Sequence, residues 1–363
     1  MKGLKKFIIV LIILAAKEAP AQDPSFSQFF SSPMNVNPAL TGQFNGKWRA
    51  ITNIRRQWSG PTNPYTTGTL SFDNKVFQNL SDNYYGDESA KIAIGGMMMY
   101  DEAMGGALKS SYGSLNISGN VRLASSSGGY EENGMRIRHL NRADNEGEAE
   151  HRLGAGIGIS YGNRRLDISK LNFEEQFTGI GFNTNLPTGE SALSNMKGWF
   201  SANAGILYSY MGTNTNIDIG ASVYHINRPK QTFLNDPNQS LAPRYVVHSN
   251  VETILVDNLS LNANGVYQYQ SGASYFSIGG ALGYYLPTSD EDKEMIIRGG
   301  LWYWSKNAVI PYVGFSYGNF EIGVTYDYTT SKLVQNAMRV HTYELCLIFR
   351  GFGKTDGIPS PWR

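Results

Sequence analysis

From Lys47 to Phe349 the sequence is a succession of runs of about ten residues in which apolar and polar side chains take turns, divided by Gly, Asn, Asp and Pro. In one run Leu115, Ile117, Gly119, Val121 and Leu123 fall on one face and Asn116, Ser118, Asn120 and Arg122 on the other. The same split sets Leu259, Leu261, Ala263, Gly265 and Tyr267 against Ser260, Asn262, Asn264 and Gln268. It returns with Phe320, Ile322, Val324, Tyr326 and Tyr328 against Glu321, Gly323, Thr325 and Asp327. The last run turns His341, Tyr343, Leu345, Leu347 and Phe349 to one side. A period of two is that of a strand with one greasy and one polar face. Strands are expected to begin near Lys47, Tyr65, Lys91, Ser111, His151, Trp199, Asn216, Pro243, Leu259, Ala273, Met295, Ala308, Phe320 and Met338. That is about fourteen, an even number, as single-chain bacterial barrels require.

A soluble antiparallel sheet alternates too, so the period alone leaves a secreted sandwich or propeller open. Aromatic positions favour the membrane. Tyr208 with Tyr210, Tyr267 with Tyr269, Tyr284 with Tyr285, Trp302 to Trp304, and Tyr326 with Tyr328 stand at strand ends, where a membrane barrel carries its interfacial girdles. Composition agrees: 22 Tyr, 17 Phe and 6 Trp accompany 40 Gly, with 17% charged residues. The mean hydropathy of -0.31 excludes a helical membrane bundle but suits strands that show lipid only alternate residues. The expected fold is therefore all-β, a transmembrane antiparallel barrel.

The chain opens with Lys2, Lys5 and Lys6, an apolar run from Phe7 to Ala16, and Ala19-Pro20-Ala21. This is the pattern of a secretory signal peptide over residues 1–21, cleaved before Gln22 and too short to remain as an anchor. No cysteine stands at the cleavage point, so membrane residence must come from the fold. Residues 22–46, rich in Ser, Asn, Phe and Pro and without either period, read as an irregular lead-in or plug in or near the lumen. The barrel takes 47–350 and a short tail 351–363.

Tight hairpins are expected at Val256-Asp257-Asn258, Gln270-Ser271-Gly272 and Gly318-Asn319. Three connections are long: 74–90, 124–150 and 162–198. With both chain ends in the periplasm, parity places the first two on the periplasmic side and the third outside, against the usual rule of short periplasmic turns.

Candidate chemistry is sparse. His139, His151, His225, His248 and His341 are scattered, with no paired-histidine motif and no phosphate-binding glycine loop. A hydrolase built on His248 and a lumenal Ser is conceivable, but isolated strand histidines more often serve structural hydrogen bonds. Cys346, the one cysteine, permits neither an internal disulfide nor a thiolate metal site. No catalytic residue, metal or cofactor is expected, and a net charge of +1 gives no ground for nucleic acid as a partner. Charged residues on the polar strand faces are more informative: Arg49, Arg55, Arg122, Arg298, Asp218, Glu252, Glu321, Asp327 and Glu344. They would line either a conducting lumen or a salt-bridged, plugged one, and the modest diameter together with the lead-in favours the second.

Several segments resemble the PorP/SprF family. The mature start, Ser25-Phe26-Ser27-Gln28-Phe29-Phe30, then Pro33, Asn37-Pro38-Ala39 and Gly42, is similar to that family's opening. Trp48-Arg49 and Arg55-Arg56-Gln57-Trp58 resemble its first strand, Leu171-Asn172-Phe173-Glu174-Glu175-Gln176-Phe177 its long loop, and His225-Ile226-Asn227-Arg228-Pro229 with Gln231 a later element. Tyr326-Asp327-Tyr328 with Ser331, and Tyr343-Glu344-Leu345, complete the set, while Ile358-Pro359-Ser360-Pro361-Trp362-Arg363 matches only loosely. The resemblance implies an outer-membrane component of the type IX secretion system of Bacteroidetes, non-enzymatic, tied to export or surface retention of adhesins and in some members to gliding motility. Its implied partners are outer-membrane lipid, a large secreted adhesin or its C-terminal domain, and the periplasmic ring of the secretion machine. Asn37-Pro38-Ala39 also resembles the plug region of fatty-acid-transporter-like barrels, or serves as an ordinary bend before the first strand. From loop length and resemblance together, Leu171, Phe173, Glu174, Glu175, Gln176 and Phe177, with Asn227, Arg228 and Pro229, are the candidate partner-binding residues. Asn37, Pro38 and Ala39 are the candidate plug, and Arg49, Arg55, Arg298, Glu252 and Glu344 the candidate lumenal charge network. The rival reading is a porin or fatty-acid-transporter-like channel for small solutes.

Overall fold

The computed structural model describes residues 23–60, 63–77, 90–127, 148–189, 196–232, 239–288, 293–330 and 340–351. The signal segment, most of the loops 74–90 and 124–150, Ser331 and the tail lie outside them. Alternating runs become fourteen antiparallel strands, each bonded to its neighbours in chain order, and β1 (Trp48–Ser59) pairs with β14 (His341–Gly351) to close the cylinder. Between them run β2 (Tyr65–Phe77), β3 (Ala90–Ala103), β4 (Leu108–Ser127), β5 (Glu148–Leu166), β6 (Trp199–Met211), β7 (Thr215–Tyr224) and β8 (Arg244–Val256). The remainder are β9 (Leu259–Gln270), β10 (Ala273–Leu286), β11 (Met295–Trp304), β12 (Ala308–Tyr317) and β13 (Phe320–Thr329). Closure leaves no sheet edge unpaired in hydrocarbon, which an open sheet could not achieve.

One rim, the near rim, holds the start of β1 and the end of β14; the far rim lies opposite. Leu70, Met98, Leu115, Ile157, Ile206 and Val313 form an exposed apolar belt between them. Exposed Trp48, Tyr208, Tyr284, Tyr317 and Phe349 ring the near side, and Tyr65, Tyr100, Tyr161, Tyr245, Tyr269, Tyr303 and Tyr328 the far side. These are the two girdles of a membrane barrel. Trp302 and Trp304 depart from the sequence reading. They share the inward face of β11 with Ile296 and Arg298, are buried, and only Tyr303 between them faces out.

Tight turns sit at 257–258, 271–272 and 318–319. β2, β4 and β5 run further than the alternation suggested, to Phe77, from Leu108 to Ser127, and from Glu148 to Leu166, so the three long connections are shorter than their sequence estimates. Serine-rich Ala124 to Ser127 hides that extension, since it pairs with Glu148 to His151 without an apolar face to announce it.

Candidate functional site

The lead-in runs through the lumen from the far rim to the near rim as short helical turns, Phe29–Ser31, Pro33–Val36 and Pro38–Leu40, joined by bends. A segment with no strand partner must satisfy its backbone on the barrel wall, and it does so with side chains from seven strands. At the far end the Asp23 amide donates to Gln270 Oε1 at 2.9 Å, and the Asp23 carboxylate meets His225 Nε2 at 2.8 Å and Arg244 Nε at 3.2 Å. Burial opposes its charge, but His225 and Arg244 outweigh that and hold the Asp23 carboxyl well below the usual range. Tyr275 donates its hydroxyl to Ser25 Oγ at 2.7 Å.

Deeper in, the amides of Ser27 and Gln28 donate to the two Glu344 carboxylate oxygens at 2.8 and 2.9 Å. Ser27 Oγ donates to Asp327, and Arg55 bridges Asp327 at 2.8 Å and Glu344 at 3.2 Å while also donating to Ser27 Oγ. Phe30 stacks on Trp302, ring centroids 4.9 Å apart, which gives the inward tryptophan its place. Tyr224 donates to Met34 O at 2.8 Å, Arg244 Nη2 to Asn35 O at 3.0 Å, and Ser222 to Val36 O at 2.7 Å.

Asn37, Pro38 and Ala39 occupy the middle. Asn37 Oδ1 accepts from the Ala39 amide at 2.8 Å, an Asx cap that starts the next turn, while Asn37 Nδ2 donates to Ile206 O at 2.9 Å and faces His248 Nε2 at 3.0 Å. His248 therefore holds the plug, and among the described residues no Ser is hydrogen-bonded to it. The wall opposite is glycine: a Cβ on Gly156 would lie 2.4 Å from Pro38 C and Ala39 N, and one on Gly205 1.9 Å from Asn37 Oδ1. Only bare backbone allows that approach. Towards the near rim, Ser118 donates to Thr41 O, Asp73 accepts from the Gly42 amide at 2.8 Å and from Arg49 at 2.8 Å, and Lys75 Nζ donates to Phe44 O.

The charged residues anticipated on the inner face are brought together in clusters rather than as one network. Arg49 pairs with Asp73, Arg55 with Asp327 and Glu344, and Glu321 is shared by Arg298 at 3.6 Å and Arg350 at 3.1 Å. Glu252 is buried on β8. Arg350 and Arg244 escaped the sequence reading because they stand at strand ends, and Asp23 because it lies in the lead-in, where alternation assigns no face; Asp73 lies inside β2 on its inward face and was missed.

Ser201 Oγ lies 2.6 Å from His225 Nδ1, whose Nε2 meets Asp23, so the three have the bond order of a catalytic triad. Ser201 is buried, however, and lines neither the cavity beside Met97 and Met99 nor the one beside Gln268 and Tyr275, while Asp23 is also held by Arg244. A nucleophile needs room for a carbonyl and donors aimed at its oxyanion. The trio fastens the outer end of the plug instead. Among the described residues, no three His, Cys, Asp or Glu gather as metal ligands.

The other candidate residues stand on two separate far-rim connections. Within 167–189, Gln176 is buried and knits the loop, accepting from the Phe173 amide at 3.2 Å and donating to Leu186 O at 3.1 Å. Glu174, Glu175 and Phe177 are exposed, Leu171 and Phe173 half-buried. Phe177 bridges to Phe182 with rings 5.2 Å apart, and Ile180 at the tip between them is 99% exposed, a feature the sequence reading missed by stopping at Phe177. In the other loop Asn227 is spent on β6, accepting from the Ala202 amide and donating to Phe200 O. Pro229 is buried and Arg228 exposed.

Among solved structures the chain is similar to the toluene transporter TbuX of Ralstonia pickettii, at 11% identity and TM-score 0.42, covering 89% of this chain and 94% of that one. It is also similar to the P. putida toluene transporter TodX, at 8% identity and TM-score 0.38 with 87% and 93% covered. Omp33 of Acinetobacter baumannii gives 10% identity and TM-score 0.35 with 85% and 99% covered. No curated protein matches the chain. The pattern of the family described as type IX secretion system membrane protein PorP/SprF matches residues 18–349. With that match spanning nearly the whole chain and a closed fourteen-stranded cylinder beneath it, this outer-membrane barrel belongs to the PorP/SprF family of the type IX secretion system.

Proposed function

We propose that this barrel is a non-enzymatic docking platform, with its far rim outside the cell holding a large secreted adhesin or its C-terminal domain and its near rim meeting the periplasmic ring of the secretion machine. One observation carries the reading. The lumen is taken up by the protein's own lead-in, while Phe177, Ile180 and Phe182 stand clear of the far rim as an apolar finger. Isolated apolar residues on a surface are ordinary, but three at one hairpin tip, flanked by exposed Glu174 and Glu175, are the kind of patch that a partner covers. Arg228, exposed in the neighbouring connection, adds a charged contact.

Deleting Leu171 to Phe177 tests this. Surface display of the adhesin should be lost while the barrel still assembles and migrates as a folded, heat-modifiable species. Unchanged display would remove the loop from the mechanism. A porin or solute channel would instead give a stable current in planar bilayers from the intact protein, whereas the docking reading expects silence and co-purification of a large secreted partner.

A further inference from the structure

A cavity of about 50 Å³ lies between the lead-in and the wall formed by β3 to β8. Its lining is mostly soft and apolar: Met34 from the lead-in, Met97 and Met99 from β3, and the rings of Tyr112 and Tyr224. Methionines with three rotatable bonds adapt to what they enclose. Tyr112 also packs against the cluster of Met196, Trp199 and Leu241, which caps the lumen at the far rim.

The polar inventory of this lining is lopsided. Arg244 Nη1, Asn116 Nδ2 and Ser114 Oγ are buried and find no hydrogen-bond partner among the described residues. Four acceptors of the lining are in use. Asn35 O accepts from Arg244 Nη2, Asn203 Oδ1 from the His225 amide, Ser160 Oγ from Asn203 Nδ2, and the Tyr112 hydroxyl from Arg164. Asp23, the acidic residue of the lining, has its carboxylate on His225 and Arg244. Arg244 is itself fixed, its guanidinium 4.2 Å from the centre of the Tyr224 ring. What remains is a surplus of donors, one of them cationic, beside an apolar wall. Its complement is a group that accepts without donating and carries a short greasy tail. An alcohol or an amine brings donors of its own, and a carboxylate brings none.

We propose that this cavity is a binding site for a small aliphatic monocarboxylate, its oxygens on Arg244 Nη1, Asn116 Nδ2 and Ser114 Oγ and its tail along Met97 and Met99. At about 50 Å³ the space exceeds the roughly 10–15 Å³ that one water takes up on the same measure, so a carboxylate head has room, and the methionines give way to the tail.

The test uses the mature full-length protein in micelles with ¹³C-labelled methionine methyls, titrated with sodium butyrate, n-butanol and n-butylammonium chloride. Butyrate should shift the Met97 and Met99 resonances saturably, n-butanol far more weakly, and n-butylammonium not at all. Asn116→Asp turns a donor into a repelling acceptor without touching the lead-in and should weaken butyrate at least about tenfold, the worth of one charge-assisted bond. Should that variant fail to assemble, Met99→Trp fills the cavity from the opposite wall and should abolish the shifts. The assignment is overturned if butyrate gives no saturable shift, leaving water as the occupant, if the three probes act alike, or if a folded Asn116→Asp or Met99→Trp binds butyrate as the native protein does.

Discussion

Arg55→Met is the sharpest perturbation of the plug's anchorage. Arg55 meets Asp327 at 2.8 Å and Glu344 at 3.2 Å, and the carboxylate side chains are 3% and 0% exposed, so water cannot replace the guanidinium. Each attraction has a gross value of about 5–6 kcal/mol at an effective dielectric constant near 20, most of it offset by desolvation of the ions. Removing the cation alone leaves the desolvation uncompensated, for which about 3–5 kcal/mol is typical. Glu344 keeps the Ser27 and Gln28 amides and Asp327 keeps the Ser27 hydroxyl, which places the expected loss near the lower end, about 3 kcal/mol. Adding Asp327→Asn should return about 1–2 kcal/mol, because the stranded charge goes with it. Urea titration of the folded form, followed by tryptophan emission and by mobility on unheated gels, gives the cycle. A Ser25→Cys probe with a maleimide reports in parallel whether the lead-in has come loose, buried Cys346 remaining silent. If the two substitutions are additive within about 0.5 kcal/mol, or if Arg55→Met costs under about 1 kcal/mol, the buried triad does not hold the plug and the reasoning fails.

Gly156→Val should drive a side chain into Pro38 and Ala39, cost about 1–3 kcal/mol, and raise the current in planar bilayers above that of the unsubstituted protein. Ser201→Ala should cost about 1 kcal/mol for its hydrogen bond to His225 and leave adhesin display intact, whereas a serine hydrolase would lose its activity, as read with a chromogenic ester. Because the folded-state pKa of Asp23 is depressed, its contribution is fully present above the unfolded-state value near 4 and drains away as pH falls below it. Acid titration of Ser25→Cys labelling should therefore rise below about pH 4, and Asp23→Asn should flatten that rise and give high labelling at every pH.

The barrel was legible because lipid enforces a strict period of two over whole strands, so that Leu115 to Leu123 or Phe320 to Tyr328 announce both face and fold. Aromatic residues were less reliable guides. Trp302 and Trp304 read as girdle residues by type, and only the register of β11 reveals that they face the plug. The lead-in was visible as a stretch without period, but its seat was not. Asn37 and Gly205 are 168 positions apart in number, and nothing local in either signals that one fills the space left by the other. His225 looked like one of several scattered histidines, and its bond to Asp23 spans 202 positions. Gln176 and Asn227 carried motif resemblance yet serve to tie their own loops, while exposed Ile180 lay just beyond the matched motif.

The lead-in begins beside Gln270 at one mouth of the cylinder and reaches β1 at the other, so it threads the full length of the bore. A tether of this kind restricts the order of assembly. Either the seam between β1 and β14 zips shut around a strap already laid inside, or a free end must be fed through a finished tube. The first route needs no passage past the Arg55 and Asn37 contacts, and it makes the strap a template on which the last two strands to meet find their register.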